Sequence, residues 1–128
     1  MGILNDIDGA AYDLERGRLG ELTTVSRNFT IVRDNKPLDD CVSTYRVFSY
    51  DTCVACVSKR FDGSLSVLIK RDAFYHTVTT SKHVRRFLSV LVGRVDFDAL
   101  YKACNKACDD ETINGYSNPW INVREFAQ

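Results

Sequence analysis

The residues best suited to chemistry are cysteines. The chain has five: Cys41, Cys53, Cys56, Cys104 and Cys108. Cys53-Val-Ala-Cys56 has the spacing of a thiol redox pair or of half a zinc site. Its surroundings are rich in strand-forming residues, and in a regular strand residues three apart point to opposite faces. A redox pair of this spacing normally opens a helix, where the thiol pKa falls. Packing is therefore the expected role, cysteine being among the most buried residue types. Cys104 and Cys108 are four apart on a predicted helix and share a face. With His76 or His83 they would make part of a metal site, but they also lie on that helix's apolar stripe. Cysteines, serines, His76, His83 and aspartates supply the types for nucleophilic catalysis, without a GxSxG turn to organise them. HExxH, Walker A and dinucleotide patterns are missing too. The expectation is a protein that is not an enzyme, with no catalytic residues, no metal and no cofactor.

Charge is the second signal. Between Lys59 and Arg94 stand eight basic residues, Lys59, Arg60, Lys70, Arg71, Lys82, Arg85, Arg86 and Arg94, against Asp62 and Asp72, a net of +6. The chain as a whole is neutral, with 17 basic and 17 acidic residues, so the remainder carries −6. Lys82, Arg85 and Arg86 fall on the polar side of a predicted helix, with Lys70 and Arg71 on a nearby turn. Beside Tyr50 and Tyr75, such cations suit phosphates and single-stranded bases. A charged helix face is most often simply solvated, and neutrality excludes the strongly basic class of nucleic-acid binders. The acidic regions, Asp6/Asp8/Asp13/Glu15 and Asp109-Asp110-Glu111, could mimic phosphates toward a basic partner.

These residues need elements to hold them. A chain of 128 residues is read as one domain, residues 1–128. No apolar run approaches the roughly 20 residues of a membrane span. The start, Met1-Gly2-Ile3-Leu4-Asn5-Asp6, lacks the pattern of a signal peptide, and Asp6 stands where myristoylation after Gly2 wants Ser or Thr. With an odd cysteine count, this favours reduced thiols and a cytoplasmic setting.

Ile3, Leu4, Ile7, Ala11 and Leu14 predict an N-terminal helix stopped by Gly17. Val25, Phe29 and Ile31 predict a strand that Arg27 interrupts, followed by a turn over Asp34-Asn35-Lys36-Pro37. Tyr45 to Tyr50 predicts a further strand. Asp62-Gly63 predicts a two-residue hairpin turn. That register sets Phe61 against Ser64, Lys59 against Ser66 and Val57 against Leu68, with a core face of Val54, Cys56, Ser58, Leu65, Val67 and Ile69. Phe74 to Val78 then adds a strand carrying His76. The antiparallel meander, with strands over about 45–78, is followed by two helices over about 80–92 and 96–109. The first is capped by Thr79-Thr80-Ser81. Its stripe is Val84, Phe87, Leu88, Leu91 and Val92, it places His83 at a boundary, and it ends at Gly93. The second is capped by Asp96, with a stripe of Phe97, Leu100, Tyr101, Cys104, Ala107 and Cys108, and is closed by Gly115 and Asn118-Pro119. Trp120 to Phe126 predicts a last strand. The class is α+β.

Ser49-Tyr50-Asp51-Thr52, then Val54-Ala55, and later Tyr75 with Thr79-Thr80-Ser81-Lys82-His83, resemble a small uncharacterised domain of tailed phages, over residues 45–91. That domain pairs an SY(N/D)T-x-VA strand with TTS(K/R)H opening a helix. The cysteines depart from its pattern. That domain has no assigned function, so the resemblance carries over no catalytic residues; it implies a phage or prophage protein acting in the cytoplasm of a bacterial host. Such proteins include inhibitors of host defence, among them anti-CRISPR proteins. The leading expectation is a protein that binds and inhibits a host protein or protein–nucleic-acid complex through Asp109, Asp110 and Glu111. The alternative is a nucleic-acid-binding accessory protein using Lys70, Arg71, Lys82, Arg85 and Arg86.

Overall fold

A computed structural model describes residues 3–26, 28–115 and 119–128. The expectations for Gly2, Arg27 and Asn118 lie outside the described residues. The chain runs as helix α1 (Ile3–Glu15), strands β1 (Leu22–Ser26), β2 (Phe29–Arg33), β3 (Cys41–Ser49), β4 (Thr52–Arg60) and β5 (Leu65–Lys70), helices α2 (Val78–Val92) and α3 (Phe97–Asn114), strand β6 (Trp120–Asn122) and a 3₁₀ turn (Val123–Phe126). The six strands form one antiparallel sheet in chain order. This is the α+β fold that the pattern predicts.

Several boundaries differ, each for a local reason. The predicted strand at Val25–Ile31 is a hairpin of β1 and β2, in which Ser26 pairs with Phe29. No strand forms over Phe74–Val78. Turns lead through it instead, with Ala73 N donating to Lys70 O and Tyr75 N to Asp72 O, each at 3.0 Å. The slot beside β5 is taken instead by β6. That strand stops at Asn122, whose side chain accepts from Arg124 N and starts the 3₁₀ turn. Helix α3 runs past residue 109 to Asn114 and closes on Gly115, at φ 72°.

The Asp62-Gly63 turn is real but one residue longer than predicted. Arg60 N donates to Ser64 O at 2.9 Å, enclosing Phe61, Asp62 and Gly63, the last at φ 88°. Asp62 Oδ1 accepts from both Ser64 N and Ser64 Oγ, which fixes the longer loop. The register therefore shifts by one: Val57 pairs with Val67, Ser58 with Ser66 and Lys59 with Leu65.

That slip reassigns faces. Leu65, Val67 and Ile69 line the core with Ala55 and Val57, not with Cys56 and Ser58. Tyr45, Val47 and Ile31 extend the same buried face. Cys56 and Ser58 instead share the opposite face with Leu68 and Ser66. Ser58 is nonetheless buried there. Its hydroxyl meets Thr44 Oγ1 at 3.2 Å, and Leu38 N, from the loop before β3, also donates to that Thr44 oxygen.

On the core face, Ile7, Ala11 and Leu14 of α1 are buried, as are Val84, Phe87, Leu88 and Leu91 of α2. Helix α1 ends where Gly17 takes φ 70° and donates to Leu14 O. Phe87 meets Phe29 edge-on at 5.3 Å. His83 is not a boundary residue. It is 5% exposed, set edge-on against Phe29 at 6.2 Å, and its Nδ1 has no hydrogen-bond partner among the described residues. Burial holds its pKa below the ordinary histidine value.

Candidate anion-binding cleft at the start of the second helix

Helix α2 begins at Val78, two residues before the residue 80 that its hydroxyl run predicts. Thr77 is the N-cap, and its Oγ1 accepts from Thr80 N at 2.9 Å. The same hydroxyl meets Thr80 Oγ1 at 2.9 Å, and Thr80 Oγ1 meets Ser49 Oγ at 2.7 Å. Ser49 and Thr80 are both buried. This chain of hydroxyls ties the β3–β4 hairpin to the first turn of α2. It also joins the two short motifs, Ser49-Tyr50-Asp51-Thr52 and Thr79-Thr80-Ser81-Lys82-His83, across 31 residues of sequence.

The next residue, Tyr50, turns the hairpin at φ 53° and is 61% exposed. Positive φ is uncommon for a bulky side chain. The tip therefore stands beside the start of α2 in a costly conformation.

Around that start lies an open cleft of about 520 Å³, lined by Phe74, Tyr75, His76, Thr77, Val78, Ser81, Lys82 and Arg85. The turns that replace the predicted strand create it. They carry Tyr75 and His76 to the surface, where both are exposed. Tyr75 is held by a hydrogen bond from its hydroxyl to Asn105 of α3, and burial pushes its phenol pKa up, so it stays protonated. Arg85 lies over the Phe97 ring at 4.8 Å. Stacking on a ring fixes the guanidinium plane and leaves its N–H edges for an acceptor. Neither Lys82 nor Arg85 makes an ion pair among the described residues. A second recess, lined by Lys82, Arg85, Arg86 and Ser89, continues along the helix.

The five basic residues singled out in the sequence do not form one surface. Lys82 and Arg85 share the cleft. Arg86 adjoins them but is held by Asp8 of α1 through two hydrogen bonds of 2.7 Å. That pairing lowers the Asp8 pKa. Arg71 is ion-paired with Glu111 of α3. Lys70 lies over the Trp120 ring at 4.6 Å, on the sheet face away from the core.

The acidic triplet is similarly divided. Glu111 pairs with Arg71, and Asp110 meets Lys106 at 3.5 Å, while Asp109 is exposed. Cys104 is fully buried, with its pKa pushed up to about 11 by burial, and Cys108 lies against Arg71 O at 3.7 Å. Among the described residues no three His, Cys, Asp or Glu side chains gather as a metal site. No helix among them is long and apolar enough to cross a membrane.

Thr77 is a site residue that sequence reasoning missed, while in the sequence Ser49 reads only as part of a motif and His76 only as a candidate metal ligand or catalytic histidine on a strand. The signal for Thr77 was present, a hydroxyl three residues before Thr80. His76 was hidden by the predicted strand.

Residues 18–99 match a family of unknown function, DUF8033, which covers 82 of the 128 residues. The chain belongs to this family. The DUF8033 span runs from before β1 into the first turn of α3, so it includes every residue lining the cleft. It leaves out α1 and the acidic end of α3. No curated protein and no solved structure matches the chain.

Proposed function

We propose that this DUF8033 protein is a non-enzymatic binding module that takes a nucleic-acid backbone into the cleft at the start of α2. Lys82 and Arg85 serve as its phosphate contacts. The observation that carries this reading is their shared cleft, where neither has an ion-pair partner among the described residues. The α2 amides at the cleft add the positive end of a helix dipole. Tyr75 and His76 offer aromatic faces beside the charge, which favours single strands over duplex. The net charge of zero limits long-range attraction, so binding is expected to be short-range, with a salt dependence set by the few phosphate contacts in the cleft. In the phage setting implied by the resemblance, such a module would engage nucleic acid within a host defence complex, or act beside the phage's own nucleic acid.

The competing idea, an acidic face that enters a basic groove of a host protein, loses weight on geometry. Glu111 and Asp110 already have cationic neighbours within the fold. A gel-shift assay on single- and double-stranded oligonucleotides at low and moderate salt tests the proposal. Retardation of the single strand at low salt, fading as salt rises, is the expected result. No retardation at low salt, where phosphate contacts are strongest, would remove it.

A further inference from the structure

The Cys53-Val-Ala-Cys56 run is not arranged as a regular strand would arrange it. Between β3 and β4 the register slips: Val47 pairs with Ala55, yet the next residue, Phe48, pairs with Cys53. Val54 is thus an extra residue, a β-bulge. Burial agrees, since the consecutive residues Val54 and Ala55 are both buried, at 0% and 1% exposure. Cys53 lies opposite Phe48 and Cys56 opposite Arg46. Phe48 and Arg46 are two apart on β3 and so share a face. The two thiols therefore stand on one face, the side of the sheet away from the helices, and both are free and half-buried.

Their spacing follows from the partner strand. Cys53 and Cys56 span what two residues span on β3, about 7 Å at roughly 3.3 Å per residue. Same-face neighbours at that distance are too far apart for a relaxed disulfide, whose Cβ atoms sit about 3.8 Å apart. The spacing is better suited to two sulfurs on opposite sides of one soft cation. With metal–sulfur bonds of about 2.3 Å, linear coordination sets the sulfurs about 4.6 Å apart. The surroundings carry compensating charge. Arg46, held by Asp34 at 3.0 Å, acts electrostatically on both thiols, and Lys70 acts on Cys53. Asp34 pairs with Arg46 and acts on both thiols in the opposite sense, so Lys70, beside Cys53, is the cation left to offset the one negative charge of a bis-thiolate complex of a monovalent cation. Zinc is a poorer fit, since it wants four ligands and no third His, Cys, Asp or Glu joins the pair among the described residues.

We infer that Cys53 and Cys56 form a two-coordinate site for a soft monovalent cation, Cu(I) in particular. Thiolate ligands select that ion. Binding is a proton exchange without redox change: two thiols and Cu(I) give the bis-thiolate complex and two protons. Because two protons leave as the complex forms, binding strengthens as pH rises.

Anaerobic titration of the reduced full chain with Cu(I), in competition with a chromogenic Cu(I) chelator, tests this directly. One Cu(I) per chain is expected. Losing a ligand should cost more than the roughly 10- to 100-fold typical of outer-shell changes, so Cys53→Ser and Cys56→Ser should each weaken binding by more than about 100-fold. Cys108→Ser should leave it unchanged. A second readout uses the unaltered chain: Cu(I) should protect Cys53 and Cys56 from iodoacetamide. No Cu(I) uptake, uptake indifferent to both serine variants, or uptake abolished by Cys108→Ser would overturn the site, as would unprotected Cys53 and Cys56 at saturating Cu(I).

Discussion

The start of α2 and the end of α3 carry opposite charge, and they differ in what that charge touches. At the end of α3, Glu111 meets Arg71 and Asp110 meets Lys106. At the start of α2, Lys82 and Arg85 share an open cleft, and Arg85 is fixed on a ring rather than by a carboxylate. Both regions look equally charged in the sequence. The contrast teaches that a count of charges along a chain overstates what is available to a partner. The fold has already spent part of each patch on the other, with Arg71 bridging from the basic set to the acidic one.

The largest expected effect breaks the contrast at α2. The pair of changes Lys82→Gln and Arg85→Gln removes two charged hydrogen bonds of about 1.5 kcal/mol each, so single-strand affinity should fall roughly a hundredfold. Fluorescence anisotropy at low salt would measure this. Reversing Asp109, Asp110 and Glu111 to lysine should not weaken oligonucleotide binding. Weakened binding there would move the site to α3.

The next effect tests how the cleft is held. Thr80→Val leaves the buried Ser49 hydroxyl without its 2.7 Å partner. A cost of about 1–3 kcal/mol is expected in chemical denaturation. A change within error would mean that the hydroxyl chain does not hold the hairpin to α2.

A third effect depends on pH. His83 is held below its ordinary pKa of 6.5 by burial, so the unfolded chain takes up a proton before the folded one does. Stability should be complete above about pH 6.5 and fall as the pH drops below it. In thermal melts between pH 7.5 and 5, that slope should flatten in His83→Gln. An equal slope in both proteins would locate the acid sensitivity elsewhere.

The smallest effect lies at α3. Glu111→Gln removes an ion pair whose carboxylate is half exposed, and should cost no more than about 1 kcal/mol. A larger loss would make the Arg71–Glu111 bridge a structural tie instead of a surface pairing.

Much of the fold was legible because periodicity and caps are local. The stripe from Val84 to Leu91 and the Asp96 cap are set by residues within two turns of one another. What was not legible depended on contacts across the sheet. Asp62-Gly63 announced a turn, but its length was decided by the Asp62 carboxylate reaching Ser64. The Phe74–Val78 strand failed because β6, some 45 residues later, occupies the edge it needed. Cys53 and Cys56 were assigned to opposite faces because a bulge leaves no mark in composition, only in pairing with Phe48 and Arg46. At the site, Lys82 and Arg85 were visible as a helix face. The ion pairs that withdraw Arg71 and Arg86 from it join residues 40 and 78 positions apart.

The most direct test of the cleft is the salt dependence of single-strand binding. Each phosphate contact contributes about 0.7 to the slope of log affinity against log salt. If Lys82 and Arg85 are those contacts, Lys82→Gln with Arg85→Gln should reduce the magnitude of the slope by about 1.4 relative to the unaltered protein. An unchanged slope would contradict the assignment of the cleft as the phosphate site.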